Sequence, residues 1–395
     1  MPNSILTPTA VTREFLRVLH QKLNFVGAIT RDYDDSYAKS GAKIGDSLKI
    51  RLPNQYVVRT GATLSTQDTT ESSVTLQVGT QKGVDLNFTS VDLTLSLDDF
   101  SKRILDPAMA VLAANIESDV LSNVYKDVYQ SIWNGGAAAT YNKALDARVL
   151  LQRALVPIND RTMLLDPNAM ADVIKDTKTL FQDSASIAKQ FKEGMVGRAA
   201  GFDWGENTLM PAHTRGASGA TTTDNTAWVN GQATSAVPAG AGTFKKGDVF
   251  TVANVFSAHP ETKVSSGQLQ QFVVTADYAG GAGSLAFAPA IYTSGALQNV
   301  VVGATSATAV LTPLGTASTA VQTGLAFQKG AFAFATADLV MPEGVDFARR
   351  EVMDGVSMRI IRQYDINNDK FPCRLDVLYG YKTIRAALAA RYHNN

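Results

Sequence analysis

The side chains in this 395-residue chain that invite a chemical reading are four histidines, one cysteine and a few acidic and basic clusters. A zinc site needs closely spaced ligands. His20, His213, His259 and His393 are scattered, with no i, i+4 pair and no cysteine beside them, so no metal site is expected. Cys373 stands between Pro372 and Arg374 at the start of an expected strand, and it reads as a buried residue rather than a nucleophile. Asp32, Asp34 and Asp35 lack the glycine and distal glutamate of a calcium loop, so they read as a solvated acidic turn. Lys245-Lys246-Gly247-Asp248 reads as a solvated turn leading into a strand rather than a phosphate site. The sequon Asn87-Phe88-Thr89 matters only in a secreted protein. There is no P-loop, no dinucleotide-binding glycine fingerprint and no GxSxG nucleophile elbow. The expectation is therefore a non-enzyme with no catalytic, cofactor-binding or metal residue and no cofactor.

Composition narrows the class. Thirty-six basic residues balance thirty-six acidic ones, and only 18% of the chain is charged. A dedicated binder of nucleic acid or anionic membrane needs a basic surplus, which is missing. Zero net charge favours association. The lone cysteine rules out an internal disulfide framework. The first ten residues do not read as a signal peptide, and no run of about 18 apolar residues suggests a membrane span. Work in a reducing cytoplasm, or in something assembled there, is expected.

The elements follow from periodicity. Thr12 starts a helix with an apolar stripe of Phe15, Leu16, Leu19, Leu23 and Val26. Leu48, Ile50 and Leu52 alternate with polar residues, as do Val74, Leu76 and Val78, and then Val84, Leu86 and Phe88. The polar stretch Gly61 to Ser73 between the first two runs reads as the tip of a long hairpin, too poor in apolar residues to form its own core. Asp106-Pro107 opens a helix on which Ala108, Leu112, Ile116, Val120, Val124, Val128 and Ile132 recur every fourth residue, ended by Asn134-Gly135-Gly136. That stripe drifts by roughly 40° per step. Two readings stay open: successive contacts with different bodies, or a core helix covered on several sides by its own domain.

Leu145 to Leu155 reads as a helix, Met163-Leu164-Leu165 as a strand, and Asp166-Pro167-Asn168 as the cap of a further helix near Ala169. Glycines 194, 197, 201 and 205 punctuate the stretch after it. From Arg215 to Gln328 only eight residues are charged, and short β runs predict an inserted all-β barrel or sandwich. Alternating strands resume with Ala331 to Ala335, Val356 to Ile361 and Arg374 to Tyr379.

An arm, a long hairpin, a long helix, an α/β domain and a return of strands, in that order, resemble the Hong Kong ninety-seven capsid fold of tailed-phage major capsid proteins. The inserted β module makes the chain similar to the coat-protein family of phage P twenty-two. Gly45-Asp46-Ser47-Leu48-Lys49-Ile50-Arg51-Leu52-Pro53 enters the hairpin and Asp85-Leu86-Asn87-Phe88-Thr89 leaves it. Asp98 to Lys126 matches the spine helix, and Gly194 to Trp204 precedes the insertion. Phe244 to Val252 lies within the insertion, and Leu325 to Phe332 follows it.

The resemblance implies an α+β fold with an N-terminal arm (1–43), an extended β-hairpin loop (44–95) and a peripheral-domain spine helix (96–139). It implies an axial domain in two parts (140–213 and 326–345), an inserted all-β domain (214–325) and peripheral return strands (346–395). It implies a structural protein that assembles with itself, as hexamers and pentamers, into an icosahedral virion shell. That shell is made in the host cytoplasm with scaffolding and portal proteins, and it encloses double-stranded DNA without reading its sequence. It implies no membrane partner, and no motif fixes a covalent cross-link. The alternatives are a bacterial nanocompartment shell of the same fold and a β-rich surface adhesin.

Overall fold

The computed structural model describes residues 23–31, 47–64, 66–67, 71–89, 106–134, 136–177, 197–223, 228–303, 309–353, 356–368 and 370–394. Most of the expected Thr12 helix, the acidic turn at Asp32 to Asp35, His20, Gly194 and part of the hairpin tip lie outside these residues. The chain is mixed α+β and rich in strands. It divides into two compact units: Met1–Ile50, Val74–Val120 and Phe332–Ile384, and then Arg51–Ser73, Leu121–Ala331 and Arg385–Asn395.

In the first unit, strand Ser47–Arg51 pairs with Ser73–Gln77 to form the base of the long loop. Strand Thr80–Thr89 then lies antiparallel along Lys370–Thr383, from Thr80 opposite Tyr379 to Thr89 opposite Lys370. On the other edge of Lys370–Thr383, strand Val356–Arg362 pairs near its start and Phe332–Ala337 near its end. Gly380 is required where the turn between Ser73–Gln77 and Thr80–Thr89 crosses this strand, because a Cβ there would strike the Gln77 carbonyl and sit 2.8 Å from Val78 Cα. The short helix α1 (Phe25–Ala28) is held by helix α2 (Asp106–Val124): Glu117, buried on α2, accepts the backbone N–H groups of Asn24 at 2.9 Å and Phe25 at 2.6 Å. A carboxylate there satisfies amides that a helix start leaves open.

Helix α2 is shorter than its repeat suggests. It stops at Val124, a single 3-10 turn follows at Tyr125–Asp127, and Ile132 lies in strand Ser131–Trp133. A four-residue repeat fits one helix face, but it also fits one face of a strand, whose period is two. Aromatic and β-branched residues between Val124 and Trp133 favour the strand. Ala108, Leu112, Ile116, Val120 and Val124 are all buried, and the division between the units falls within the helix, after Val120.

In the second unit, a mixed sheet runs in the order Ser131–Trp133, Ala389–Asn394, Ala320–Gln328, Arg161–Leu165, Phe202–Glu206, Arg198–Ala199, with Ala212–Thr214 also pairing Ala320–Gln328. Helix α3 (Tyr141–Arg153) packs on Ala389–Asn394 through a face that buries Ala144, Ala147 and Leu151. Helix α4 (Pro167–Thr177) starts where Asp166 accepts the amides of Asn168 and Ala169. Two details depart from the expected partition. Ala389–Asn394 joins this sheet instead of the return strands, and Phe332–Ala337 joins the return sheet. The expected partition cut the chain by sequence, whereas Ala320–Gln328 finds ladder partners on both edges only in the α/β sheet.

The inserted segment forms an antiparallel sheet ordered Gln232–Val237, Gly283–Ile291, Ser265–Val274, Val249–Ala258, Val310–Pro313, Thr221–Thr222, with Val300–Val302 also on Val249–Ala258. Val237 near one end and Leu311 near the other share one core with Phe250, Phe272, Leu285 and Phe287, so the sheet curls around it. Within Val249–Ala258 the register shifts between Thr251 and Phe256, and Asn254 has φ +62°. This bulge moves the buried positions from Phe250 and Val252 to Val255.

Candidate functional site

The structure brings together two of the four histidines. The rings of His213 and His393 are 6.4 Å apart, both buried in the second unit. His259 lies apart from them on the insertion, where its Nδ1 accepts the amides of Glu261 and Thr262. Among the described residues no three His, Cys, Asp or Glu side chains are grouped as metal ligands would be. Cys373 is buried in strand Lys370–Thr383, and burial pushes its thiol up to about 12, which suits an inert residue.

The turn at Lys245 to Asp248 is only half as expected. Lys245 and Lys246 are exposed, but Gly247 and Asp248 are buried. Asp248 is 1% exposed and collects five partners. Its Oδ1 lies 2.8 Å from His213 Nε2, and its Oδ2 accepts the amides of Gly216 at 3.0 Å and Lys245 at 2.9 Å. The other two are the charges of Arg391 and Arg215, which act on it without a direct bond. His213 Nδ1 in turn lies 3.1 Å from the Tyr125 hydroxyl.

Arg391 closes the cluster. Its Nη1 donates to the Gly247 carbonyl at 2.7 Å, and its guanidinium stands 5.8 Å from the centre of the Tyr125 ring. Burial pulls Arg391 down to about 10, with Tyr125 and Asp248 pulling the other way. Burial also raises the Tyr125 hydroxyl. His393 packs against Trp133, and burial, then the charge of Arg391 and then His213, holds it well below 6.5. Arg215 donates to the carbonyls of Gly315 and Ser218, fastening the two ends of the insertion to each other.

Tyr125, His213 and Asp248 form a hydrogen-bonded chain of the type that activates nucleophiles. Here the chain is buried, and both Asp248 oxygens are engaged, Oδ1 by His213 and Oδ2 by two backbone amides. The adjoining cavity, lined by Ser131, Trp133, His213, Arg215, Asp248 and His393 among others, is of the size of a water molecule. The arrangement holds segments together. Sequence reasoning passed over Asp248 because all its partners but Lys245 lie far away in the chain. One signal was available: in a stretch with only eight charged residues, each charge needs a local reason.

The loop between Ser47–Arg51 and Ser73–Gln77 is different in kind. Tyr56, Val58 and Leu64 are 57%, 88% and 78% exposed. Its own order comes from polar contacts at the surface, such as Val57 N–H to Gln67 Oε1 at 2.9 Å and Arg51 with Glu71 at 3.2 Å. Contacts of this type contribute little each.

A family model described as "P22 coat protein - gene protein 5" matches residues 7–389. No curated protein matches the sequence. Among solved structures, the chain is similar to one from Mycobacterium phage Che8, with 12% identity over 94% of this chain and 90% of that one and a TM-score of 0.49. It is similar to the bacteriophage PhiM1 mature capsid, with 12% identity over 88% and 82% and a TM-score of 0.43. It is also similar to a virus-like particle from Pyrococcus furiosus, with 8% identity over 96% of each chain and a TM-score of 0.38.

Proposed function

This chain belongs to the P22 coat protein family, whose model covers residues 7–389, and from that premise we propose how a phage major capsid protein of this sequence builds its shell. Copies associate through heterologous contacts that close into rings, hexamers and pentamers, and the rings close into an icosahedral container. Each contact is modest, which lets misplaced subunits leave. Once a ring has closed, further contacts are intramolecular and the sum is strong. Assembly takes place in the host cytoplasm with a scaffolding protein and a portal, and double-stranded DNA is enclosed without sequence readout. Zero net charge suits a wall that does not bind that cargo tightly. The role is structural, with no reaction catalysed.

The observation that carries the assembly reading, beside the family, is the long loop. Its apolar residues Tyr56, Val58 and Leu64 are exposed, and a segment with little core of its own gains order by lying on a neighbour. We assign that role to the loop within 44–95, the spine role to α2, and support of subunit folding and assembly to the insertion. The test is deletion of 61–70. Subunits that fold but form no shells support the assignment, and intact shells refute it.

A further inference from the structure

Strands Ser131–Trp133 and Ala389–Asn394 run parallel, with Arg391 in register opposite Ser131. Both members of this one pair hold the insertion. Arg391 Nη1 donates to the Gly247 carbonyl at 2.7 Å. Ser131 gives its N–H to Gln271 Oε1 at 2.7 Å and accepts from Gln271 Nε2 at 2.8 Å. Among the described residues, Ser131–Trp133 is an edge strand whose ladder partner is Ala389–Asn394. The Gln271 amide therefore fills, at one residue, the place of a further strand on that edge.

We infer that this pair of strands is the seat that orients the insertion on the α/β sheet, and that seating is separable from the folding of the insertion. The core of the insertion draws on Val237 to Leu311 and includes neither seat strand. The seat is built for position more than for stability. Arg391 is wholly buried, and its Nε and Nη2 find no hydrogen-bond partner among the described residues. A buried charge costs more than an apolar side chain of similar volume, and here it is tied to the insertion by a charge-assisted bond to the Gly247 carbonyl. Gly247 fits the same purpose. Its φ is +97°, and a Cβ there would meet Lys126 Cγ at 3.1 Å and His213 Cε1 at 3.2 Å, so a glycine lets the carbonyl reach Arg391. Loss of Ala389–Asn394 would remove the Arg391 bond and also free the strand that Gln271 grips.

The test is amide hydrogen exchange on full-length, unassembled subunits of Arg391→Met and Gln271→Leu. Neither depends on shell formation, so the result stands apart from the assembly reading. Exchange at Arg215, Gly216 and Ser318, where the insertion joins the sheet, should accelerate about tenfold or more in both variants. Amides of the insertion core at Phe250, Phe272 and Val274 should keep their wild-type rates. Unchanged exchange at the junction in both variants overturns the seat. Acceleration of the core together with the junction overturns its separability. If Arg391→Met does not fold, Gln271→Leu decides alone, since it removes no charge.

Discussion

His213 Nε2 lies 2.8 Å from Asp248 Oδ1, although 35 residues separate them in the chain. This bond ties the strand that enters the insertion to the turn that opens its main hairpin. Truncation of Asp248 to Ala would leave His213, the buried amide of Gly216 and the part-buried amide of Lys245 without their acceptor. Losing one partner of a buried charged network costs about 3 kcal/mol or more. Urea unfolding of Asp248→Ala should show that loss, and Asp248→Asn a smaller one. An unchanged midpoint in both would show that the network contributes nothing.

Acid should weaken the same region. His393 is held neutral in the folded subunit, well below 6.5, by burial first and then by Arg391 and His213. In the unfolded chain it takes up its proton near pH 6.5. The unfolded state thus binds more protons as pH falls, so the contribution of His393 is complete above about pH 6.5 and declines below it. The slope from this one group is at most about 1.4 kcal/mol per pH unit. Arg391, His213, Arg215 and Asp248 surround it, and His393→Phe isolates its share. The urea midpoint should fall between about pH 7.5 and 5.5 in the natural chain and fall less in the variant. Parallel pH profiles would remove His393 from the explanation.

Cys373 should not react in the folded subunit. Burial keeps its thiol protonated, up to about 12, and the side chain is 3% exposed. Iodoacetamide at neutral pH should label it only after denaturation. Stoichiometric labelling of native subunits would mean that strand Lys370–Thr383 opens readily.

Asp376 anchors the return sheet. Burial alone would raise its carboxyl, but hydrogen bonds from Arg359 and Arg374 bring it below the usual range. Arg359 Nη2 lies 2.7 Å from Asp376 Oδ2 and is itself mostly buried, whereas Arg374 is largely exposed. Arg359→Ala should therefore cost clearly more in thermal stability than Arg374→Ala, by about 1–2 kcal/mol. Equal losses would contradict the assignment of the stronger bond to Arg359.

Much of the fold was legible in sequence, and the reasons are local. Alternation at Leu48 to Leu52, Val74 to Val78 and Val84 to Phe88 marked three strands, and Asp166 marked a helix start. The misreadings came where local pattern is degenerate or where partners are distant. Val124, Val128 and Ile132 continue a four-residue repeat that a strand satisfies as well as a helix. Ala389–Asn394 gave no sign that it would lie between Ser131–Trp133 and Ala320–Gln328. The buried junction was the least visible part. Asp248 sits in a Lys-Lys-Gly-Asp turn whose composition is that of a surface loop, and only the folded chain places Tyr125, His213 and Arg391 around it.

Negative-stain electron microscopy of the purified protein, expressed with and without a scaffolding partner, tests self-assembly. Closed shells of uniform diameter, built from rings of this polypeptide, are the expected image. A population that stays as single subunits at every protein and salt concentration, in both preparations, would contradict the whole reading.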